Sequence, residues 1–284
     1  MTTKTPPRPT LNPIAEYFGL QRMPFGRNLP VADLLDLPGQ GEMNARLHQA
    51  VREQGIALVT GRGGCGKSTA LRRFAESLDP NAFKVLYVPN PGPGLTGIYR
   101  DLLREVGFEP SFFKPHLVSQ VRTALAGLLG RGRRAVILVD EAHHLTNSWL
   151  EDLRMLLSTD MDSASLATLV LVGHPELATR LRMACHEALW GRINYRYRLK
   201  PLSLKESAEY IANHVRVSGW RGEALFSDGF IGKAHEYAAG LPRQLNQICT
   251  YAMVAAVASN TKIIDEALFQ RARFDLEGGE EEQE

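Results

Sequence analysis

Short, almost continuously apolar segments alternate with amphipathic ones over the first two thirds of the chain. The apolar segments have the length and composition of strands buried on both faces of a sheet, and they lie at 55–60, 84–88, 135–139 and 167–172. Apolar residues at helical spacing predict helices over 42–54, 67–78, 95–106, 115–129 and 148–157. Because alternating strands and helices are typical of βαβ crossovers, the sequence predicts an α/β fold with a mainly parallel sheet flanked by helices.

The pattern changes near residue 203, after which no further strand is predicted. Ser203 and Glu206 have the spacing of a capping box, and they open an amphipathic segment that extends to residue 217. Three more segments, 230–239, 243–258 and 264–273, also have helical spacing. We therefore expect a disordered arm (1–12), an α/β domain (13–202), an all-helical domain (203–274) and an acidic disordered tail (275–284).

Composition limits the class of protein. Of 284 residues, 44% are hydrophobic and 23% are charged, so a sizeable core can form. The longest apolar run, 251–258, is far shorter than the roughly 18 residues that span a bilayer, and the start lacks the apolar centre of a signal peptide. We therefore expect a soluble cytoplasmic protein with no membrane partner. The three cysteines have no metal-ligand spacing, which excludes a disulfide framework and a cysteine-based zinc site.

The formal charge of +2 is unevenly distributed along the chain. Residues 275–284 hold six acidic residues and no basic one, which leaves 33 basic and 25 acidic residues, or +8, in residues 1–274. A basic body permits a polyanionic partner without establishing one, and a solvated end is the simplest interpretation of the tail.

The most specific motif is GRGGCGKS at 61–68, which has the G-x-x-x-x-G-K-[ST] pattern of a P-loop. Glycines let backbone N–H groups surround a phosphate, and the following helix points the positive end of its dipole at the anion. Lys67 is expected to reach the β- and γ-phosphates of ATP, and the Ser68 hydroxyl to bind Mg²⁺. Cys65 is most simply a small spacer, with redox blocking of the site as the alternative. The predicted nucleotide-binding residues are Gly61, Gly63, Gly64, Cys65, Gly66, Lys67, Ser68 and Thr69.

Two carboxylates follow the apolar segment at 135–139. Asp140 and Glu141 are therefore expected at the C-terminal edge of the sheet, where open α/β folds bind ligands. We expect Asp140 to hold Mg²⁺ and Glu141 to polarise the water that attacks the γ-phosphate. His143 and His144 also invite a metal interpretation, but no other ligands have suitable spacing, so we interpret them as turn or helix-start residues.

The motifs together resemble those of the AAA+ ATPases, whose Walker B pair corresponds to Asp140-Glu141 and whose lid corresponds to the helical region after residue 203. The resemblance implies three further site residues. His174, in the GHPEL segment, takes the place of sensor 1, where a closely related subfamily more often has Gln; a capping or turn role is equally open. Arg243, in the GLPRQLN segment, takes the place of sensor 2 and would touch the γ-phosphate from the same subunit.

The third residue is Arg192, which corresponds to an arginine finger that reaches the nucleotide of a neighbouring subunit. Arg182 is the substitute, and a surface salt bridge is the alternative. The segments YFGL at 17–20 and MPFG at 23–26 resemble the start of the ExeA-like group, which includes secretion-associated ATPases and transposon ATPases such as TniB and TnsC. The resemblance covers roughly 14–273 and places Phe25 near the adenine, although core packing would explain this aromatic equally well.

Two functions follow from this resemblance. A transposition ATPase would bind duplex DNA without sequence preference, assemble with ATP into rings or filaments, and recruit or activate a transposase, with a targeting protein as a further partner. The family's DNA contacts lie between the Walker motifs, so Lys114, Ser119 and Arg122 are the predicted contacts, with solvated surface charge as the alternative. An ExeA-type secretion ATPase would carry membrane and cell-wall-binding segments, whose absence favours transposition if 284 residues are the whole protein.

Overall fold

The computed structural model describes residues 12–26, 29–37, 39–92, 94–159 and 164–279. The described parts of Pro38–Lys200 form an α/β unit, and those of Met1–Leu37 and Pro201–Glu284 form a helical unit. In chain order the elements are α1 Pro13–Tyr17, α2 Gln40–Arg52, β1 Ile56–Thr60, α3 Lys67–Glu76, β2 Phe83–Val88, α4 Gly94–Glu105, α5 Lys114–Gly130, β3 Arg134–Val139, α6 Asn147–Leu157, β4 Ser158–Thr159, β5 Ala164–Ser165, β6 Ala167–Gly173, α7 Pro175–Leu181, α8 Glu187–Arg192, β7 Ile193–Arg198, α9 Leu204–Val217, α10 Asp228–Ala238, α11 Pro242–Ala258 and α12 Glu266–Glu277.

Five parallel strands form the sheet of the α/β unit, in the order β2-β3-β6-β1-β7. The residues of β1 and β6 are buried throughout, as are those of β3 after Arg134. This burial is the reason that these strands read as continuous apolar runs. The predicted α/β fold with a mainly parallel sheet is confirmed.

The strand order determines which loops meet at the carboxyl edge of the sheet. Because β6 lies between β1 and β3, the loop after β6 falls between the P-loop and the Asp140-Glu141 pair. Ligands of open α/β folds bind in the crevice outside these strand ends. The sheet therefore brings three separate sequence motifs together at one place.

Several short elements are not predicted from the sequence. In β7, every residue after Ile193 is at least partly exposed, because β7 is an edge strand that pairs with β1 alone. It therefore lacks the apolar run of the central strands. The helices α7 and α8 have seven and six residues, which is too short to show a helical period.

The helical unit has its own core, to which the N-terminal segment contributes. Ala15, Phe18, Leu20 and Phe25 are buried together with side chains of α9 to α12. The predicted boundary after residue 202 lies two residues from the observed one, but residues 13–37 group with the helical unit and not with the α/β domain. The reason is apolar burial between distant parts of the chain, which local patterns do not reveal.

The first and last helices of the helical unit can be compared with the predicted helical domain at 203–274. The capping box is present, because the Ser203 hydroxyl accepts from the Glu206 N–H and the Glu206 carboxylate accepts from the Ser203 N–H. The last helix continues to Glu277, where the left-handed Gly278 ends it, so the predicted tail begins as helix. Residues 1–11 of the predicted arm (1–12) and residues 280–284 of the predicted tail lie outside the described residues. Across the described ranges, no helix combines the length and the apolar character that crossing a bilayer requires.

Candidate active site

The P-loop joins β1 to α3 and depends on its glycines. Gly64 and Gly66 have φ angles of +77° and +94°, in the left-handed region that favours glycine. At Gly61, a Cβ atom would lie 2.6 Å from the Cys65 sulfur. No side chain caps the first turn of α3, where a phosphate would bind the backbone N–H groups. The loop therefore fits the phosphates of a nucleotide, and the exposed Thr69 lies in the same first turn.

The ammonium group of Lys67 is buried within this loop. Its Nζ donates to the carbonyl oxygens of Gly61 and Arg62, at 3.0 and 3.2 Å. Cys65 is also buried, and burial raises the pKa of its thiol. A protonated, enclosed thiol reacts poorly with oxidants, which supports the spacer role for Cys65 over redox blocking.

Ser68 and Asp140 meet where the P-loop faces the end of β3. The Ser68 hydroxyl donates to Asp140 Oδ2 at 2.7 Å. This distance is close to the roughly 3 Å that separates adjacent oxygen ligands on an octahedral Mg²⁺ ion. Asp140 is 2% exposed, and its Oδ1 accepts from the Glu141 N–H at 2.9 Å. Hydroxyl and carboxylate oxygens are the donors that Mg²⁺ prefers, so the pair fits the predicted metal site.

Tyr87 is a member of this site that the motifs do not reveal. Its hydroxyl donates to Asp140 Oδ2 at 3.1 Å, from the end of the neighbouring strand β2. Burial, followed by the charge of Asp140, raises the pKa of Tyr87 to about 12, so the phenol stays a donor. In the sequence, this role is indicated only by position, because Tyr87 bears a hydroxyl and comes one residue before the end of the strand predicted at 84–88.

Glu141 and His174 come together beside the P-loop. Glu141 Oε2 lies 3.9 Å from His174 Nε2. A Cβ atom at Gly63 would lie 3.8 Å from the same nitrogen. His174 is the N-cap residue of α7, but its side chain makes no capping hydrogen bond. The structure thus places the predicted base and the predicted sensor 1 side by side at the phosphate-binding edge.

His143 and His144 lie in the predicted turn, a 3₁₀ helix that begins immediately after Glu141. The ring of His143 stacks on that of His174, with centroids 4.1 Å apart. Burial lowers the pKa of His143, and the nearby His174 and His144 lower it further. Arg180 holds this turn from α7, donating to the carbonyl oxygens of His143 and Leu145 at 3.2 and 2.7 Å.

The arginine finger candidate Arg192 is the last residue of α8 and is half-buried. Burial lowers the pKa of its guanidinium, as does the charge of Arg154, whereas Glu151 opposes this. Arg154 Nε also donates to Glu151 at 2.8 Å. The substitute candidate Arg182 lies over the Trp190 ring, 5.3 Å from its centroid. Arg192 thus ends a helix, as the resemblance implies, and its role remains a prediction.

The sensor 2 candidate belongs to the helical unit. Arg243 is exposed in the first turn of α11. The preceding Gly240 has a φ of +69°, and a Cβ there would lie 2.1 Å from the Leu202 carbonyl oxygen. The Leu202 N–H donates to the Gly240 carbonyl at 2.8 Å, which connects this loop to the segment two residues before α9. The contact of Arg243 with a γ-phosphate remains a prediction.

Phe25 is packed within the core of the helical unit. It is 7% exposed, and its ring stacks on His214 at 5.7 Å with an angle of 11° between the planes. Phe226 contacts it edge-on at 5.9 Å. The core-packing interpretation therefore describes its contacts, and adenine contact remains a prediction.

The predicted DNA-binding residues all lie on α5. The Lys114 Nζ donates to Asp152 Oδ2 at 2.8 Å, and Arg122 Nη2 donates to the Met155 carbonyl at 2.6 Å. Both partners belong to α6. Ser119 is exposed between them. The two cations thus lie at the surface but already hold α5 against α6.

Residues 49–181, which contain the P-loop, Asp140-Glu141 and His174, match the family model described as AAA domain. The Cdc6p protein of Pyrobaculum aerophilum has the same fold, with a TM-score of 0.68 at 19% identity over 85% of this chain and 67% of that one. Together with the strand order and the site, these matches show that residues 49–181 form an AAA domain and that the chain has the AAA+ fold. An AAA domain implies nucleotide hydrolysis.

Two curated relatives narrow the class. The chain is 33% identical to the general secretion pathway protein A of Aeromonas hydrophila, over 93% of this chain and 48% of that protein. It is 30% identical to the Mu-like prophage FluMu DNA transposition protein B of Haemophilus influenzae, over 49% of this chain and 46% of that protein. The chain spans about half the length of each relative. It is thus an AAA+ protein related to both, and the resemblance to the ExeA-like and transposition group is confirmed.

Proposed function

We propose that this chain is an ATP- and Mg²⁺-dependent ATPase that regulates DNA transposition in the cytoplasm. It assembles on duplex target DNA when ATP is bound and recruits or activates a transposase, with a targeting protein as a further partner. The observation that carries the ATPase chemistry is the contact between Ser68 and Asp140, with Glu141 next in the chain. The relationship to a DNA transposition protein supports the biological role.

Each residue at the sheet edge has a defined task. Lys67 exchanges its two loop carbonyls for the β- and γ-phosphate oxygens, while Ser68 and Asp140 hold Mg²⁺. Held by these two side chains, Mg²⁺ would supply positive charge against the charge that develops on the phosphates. Glu141 accepts a hydrogen bond from the attacking water, and the adjacent His174 senses the γ-phosphate.

Two arginines couple ATP to assembly in this proposal. Arg192, at the end of α8, reaches the nucleotide of a neighbouring subunit, and Arg243, at the start of α11, reaches the nucleotide of its own subunit. Nucleotide that bridges two subunits stabilises only the assembled state, so ATP shifts the equilibrium towards a ring or filament.

DNA binding in this proposal uses the exposed side of α5. The ion pair between Lys114 and Asp152 is half-exposed on both sides, and such pairs contribute about 0–1 kcal/mol. Lys114 can therefore exchange its carboxylate for a DNA phosphate at little cost. An assembly presents many such weak contacts to one duplex, and linked contacts multiply in effect. Lys and Arg on phosphates fix position without reading bases, so binding is expected to be independent of sequence.

Fluorescence anisotropy with a labelled duplex and a non-hydrolysable ATP analogue tests the DNA proposal. Binding is expected with the analogue only, to weaken with added salt through lost counterion release, and to be equal on unrelated sequences. The double variant Lys114→Ala/Arg122→Ala is expected to weaken binding on all duplexes while leaving ATP binding unchanged. A charge-matched control is Lys233→Ala/Arg271→Ala in the helical unit, where Lys233 also pairs with an exposed carboxylate, that of Glu266, at 2.6 Å.

The second candidate function is that of a secretion-associated ATPase. The 33% identity with a secretion protein extends over 93% of this chain, further than the match to the transposition protein. The same titration separates the two functions. No binding to any duplex with the ATP analogue at low salt would refute the transposition role and favour the secretion role. Wild-type binding by the double variant would refute only the assignment of Lys114 and Arg122.

A further inference from the structure

Three side chains at the end of β3 form a compact group of potential metal ligands. Glu141, His143 and His144 each offer a ligand atom, and these atoms all lie within 4.8 Å of one another. Glu141 and His143 are partly buried, whereas His144 is exposed. The group consists of one carboxylate and two imidazoles, a donor set different from the oxygen donors of Ser68 and Asp140.

The buried ring nitrogen of His143 gives an independent indication. Within the described part of the chain, His143 Nδ1 is buried and makes no hydrogen bond. Glu141 Oε2 lies 3.3 Å from it, without hydrogen-bond geometry. Adjacent ligands around a tetrahedral zinc ion are about 3.4 Å apart, given metal–ligand bonds of about 2.0–2.2 Å. An ion bound to both atoms would therefore give the buried His143 Nδ1 atom the partner that it otherwise lacks.

The surrounding structure holds His143 in place before any ion binds. Arg180 donates to the carbonyl oxygens of His143 and Leu145, which fixes the turn. Gly173 leaves room for His143, because a Cβ there would lie 3.2 Å from the His143 backbone nitrogen and 3.4 Å from its Nδ1. His174 stacks on the His143 ring.

We infer that Glu141, His143 and His144 form a binding site for a transition-metal ion of the Zn²⁺ type, separate from the Mg²⁺ site. Imidazole with carboxylate suits Zn²⁺ and Co²⁺, whereas Mg²⁺ prefers oxygen donors alone. The three ligands leave a fourth position for water, as open zinc sites do.

Occupation of this site inhibits ATP hydrolysis. A carboxylate bound to Zn²⁺ cannot accept a proton from the attacking water, so Glu141 is removed from its catalytic role. This consequence rests on the proposed role of Glu141 as the base, but metal binding itself does not. Zinc binding and the inhibition of hydrolysis can therefore be refuted separately.

Zinc binding is tested on the untagged, nucleotide-free full chain, with Mg²⁺ in excess to occupy the oxygen site. Isothermal titration calorimetry with Zn²⁺ is expected to show one site per chain, and Co²⁺ is expected to give the intense visible absorption of a low-coordinate ion. His144→Ala should weaken Zn²⁺ binding by roughly tenfold or more, since even second-shell changes at zinc sites produce losses of that size. The matched control is His116→Ala, another exposed histidine of the α/β unit, which should bind Zn²⁺ like the wild type.

Three outcomes would overturn the inference: no stoichiometric Zn²⁺ binding, equal loss in the control, or a wild-type affinity in both His144→Ala and Glu141→Gln. Zinc binding without inhibition of hydrolysis would keep the site and refute the role of Glu141 as the base. Inhibition that persists unchanged in His144→Ala would place the inhibitory ion elsewhere and contradict the inhibitory mechanism.

Discussion

Replacing Glu141 with Gln perturbs the proposed reaction while keeping the shape of the side chain. Glu141 Oε2 lies 3.3 Å from His143 Nδ1 and 3.9 Å from His174 Nε2, so an amide fits the same space. The contact between Ser68 and Asp140 is not altered, so ATP binding is expected to be unchanged. The side chain is 38% exposed, which limits the purely electrostatic effect of removing its charge. A large loss of rate would therefore report the loss of proton acceptance.

A positioned general base contributes about 10²–10⁴-fold to a rate, which corresponds to about 3–5 kcal/mol of activation free energy. We expect kcat to fall by that factor in Glu141→Gln, measured as phosphate release at saturating ATP and Mg²⁺. Nucleotide affinity is measured separately with a fluorescent ATP analogue. The matched control is Glu176→Gln, which removes the same charge from an exposed residue in the first turn of α7. A kcat within tenfold of the wild type, or an equal loss in the control, would refute the assignment of Glu141.

Lys67→Ala is expected to abolish ATP binding in a nucleotide titration, because the buried ammonium leaves the phosphate-binding loop; retained affinity would contradict its role. Arg192→Ala is expected to keep single-subunit ATP binding but to impair hydrolysis and assembly in sedimentation, whereas wild-type assembly would make Arg182 the next residue to test. Tyr87→Phe removes the hydrogen bond to Asp140 and should raise the Mg²⁺ concentration for half-maximal hydrolysis about tenfold, the usual size of second-shell effects. An unchanged Mg²⁺ titration would show that the hydroxyl does not orient the carboxylate.

The central sheet could be predicted because strands that are buried on both faces have a recognisable local pattern in the sequence. Apart from the exposed Arg134 at the start of β3, the strands β1, β3 and β6 are buried on both faces, so each is mostly apolar. The P-loop could also be predicted from the sequence, because the loop requires left-handed backbone angles at Gly64 and Gly66. The Ser203–Glu206 capping box is also a local arrangement, and it is present as predicted.

Features that depend on contacts between distant residues could not be predicted from local sequence patterns. The burial of Phe25 against His214, 189 positions later, joins the N-terminal segment to the helical unit and has no local signature. In the edge strand β7, Ile193 is the only buried residue, and three of the six residues are Asn or Arg, so the strand has no apolar run. The approach of His174 to Glu141 follows only when β6 is known to lie next to β3.

We propose that ATP binding assembles this chain on duplex DNA. This assembly can be observed by electron microscopy of the chain with duplex DNA, Mg²⁺ and a non-hydrolysable ATP analogue, with ADP and nucleotide-free samples alongside. We expect regular rings or filaments on the duplex with the analogue, and dispersed particles with ADP or without nucleotide. Dispersed particles in the presence of the analogue, or identical assemblies with ADP, would contradict it.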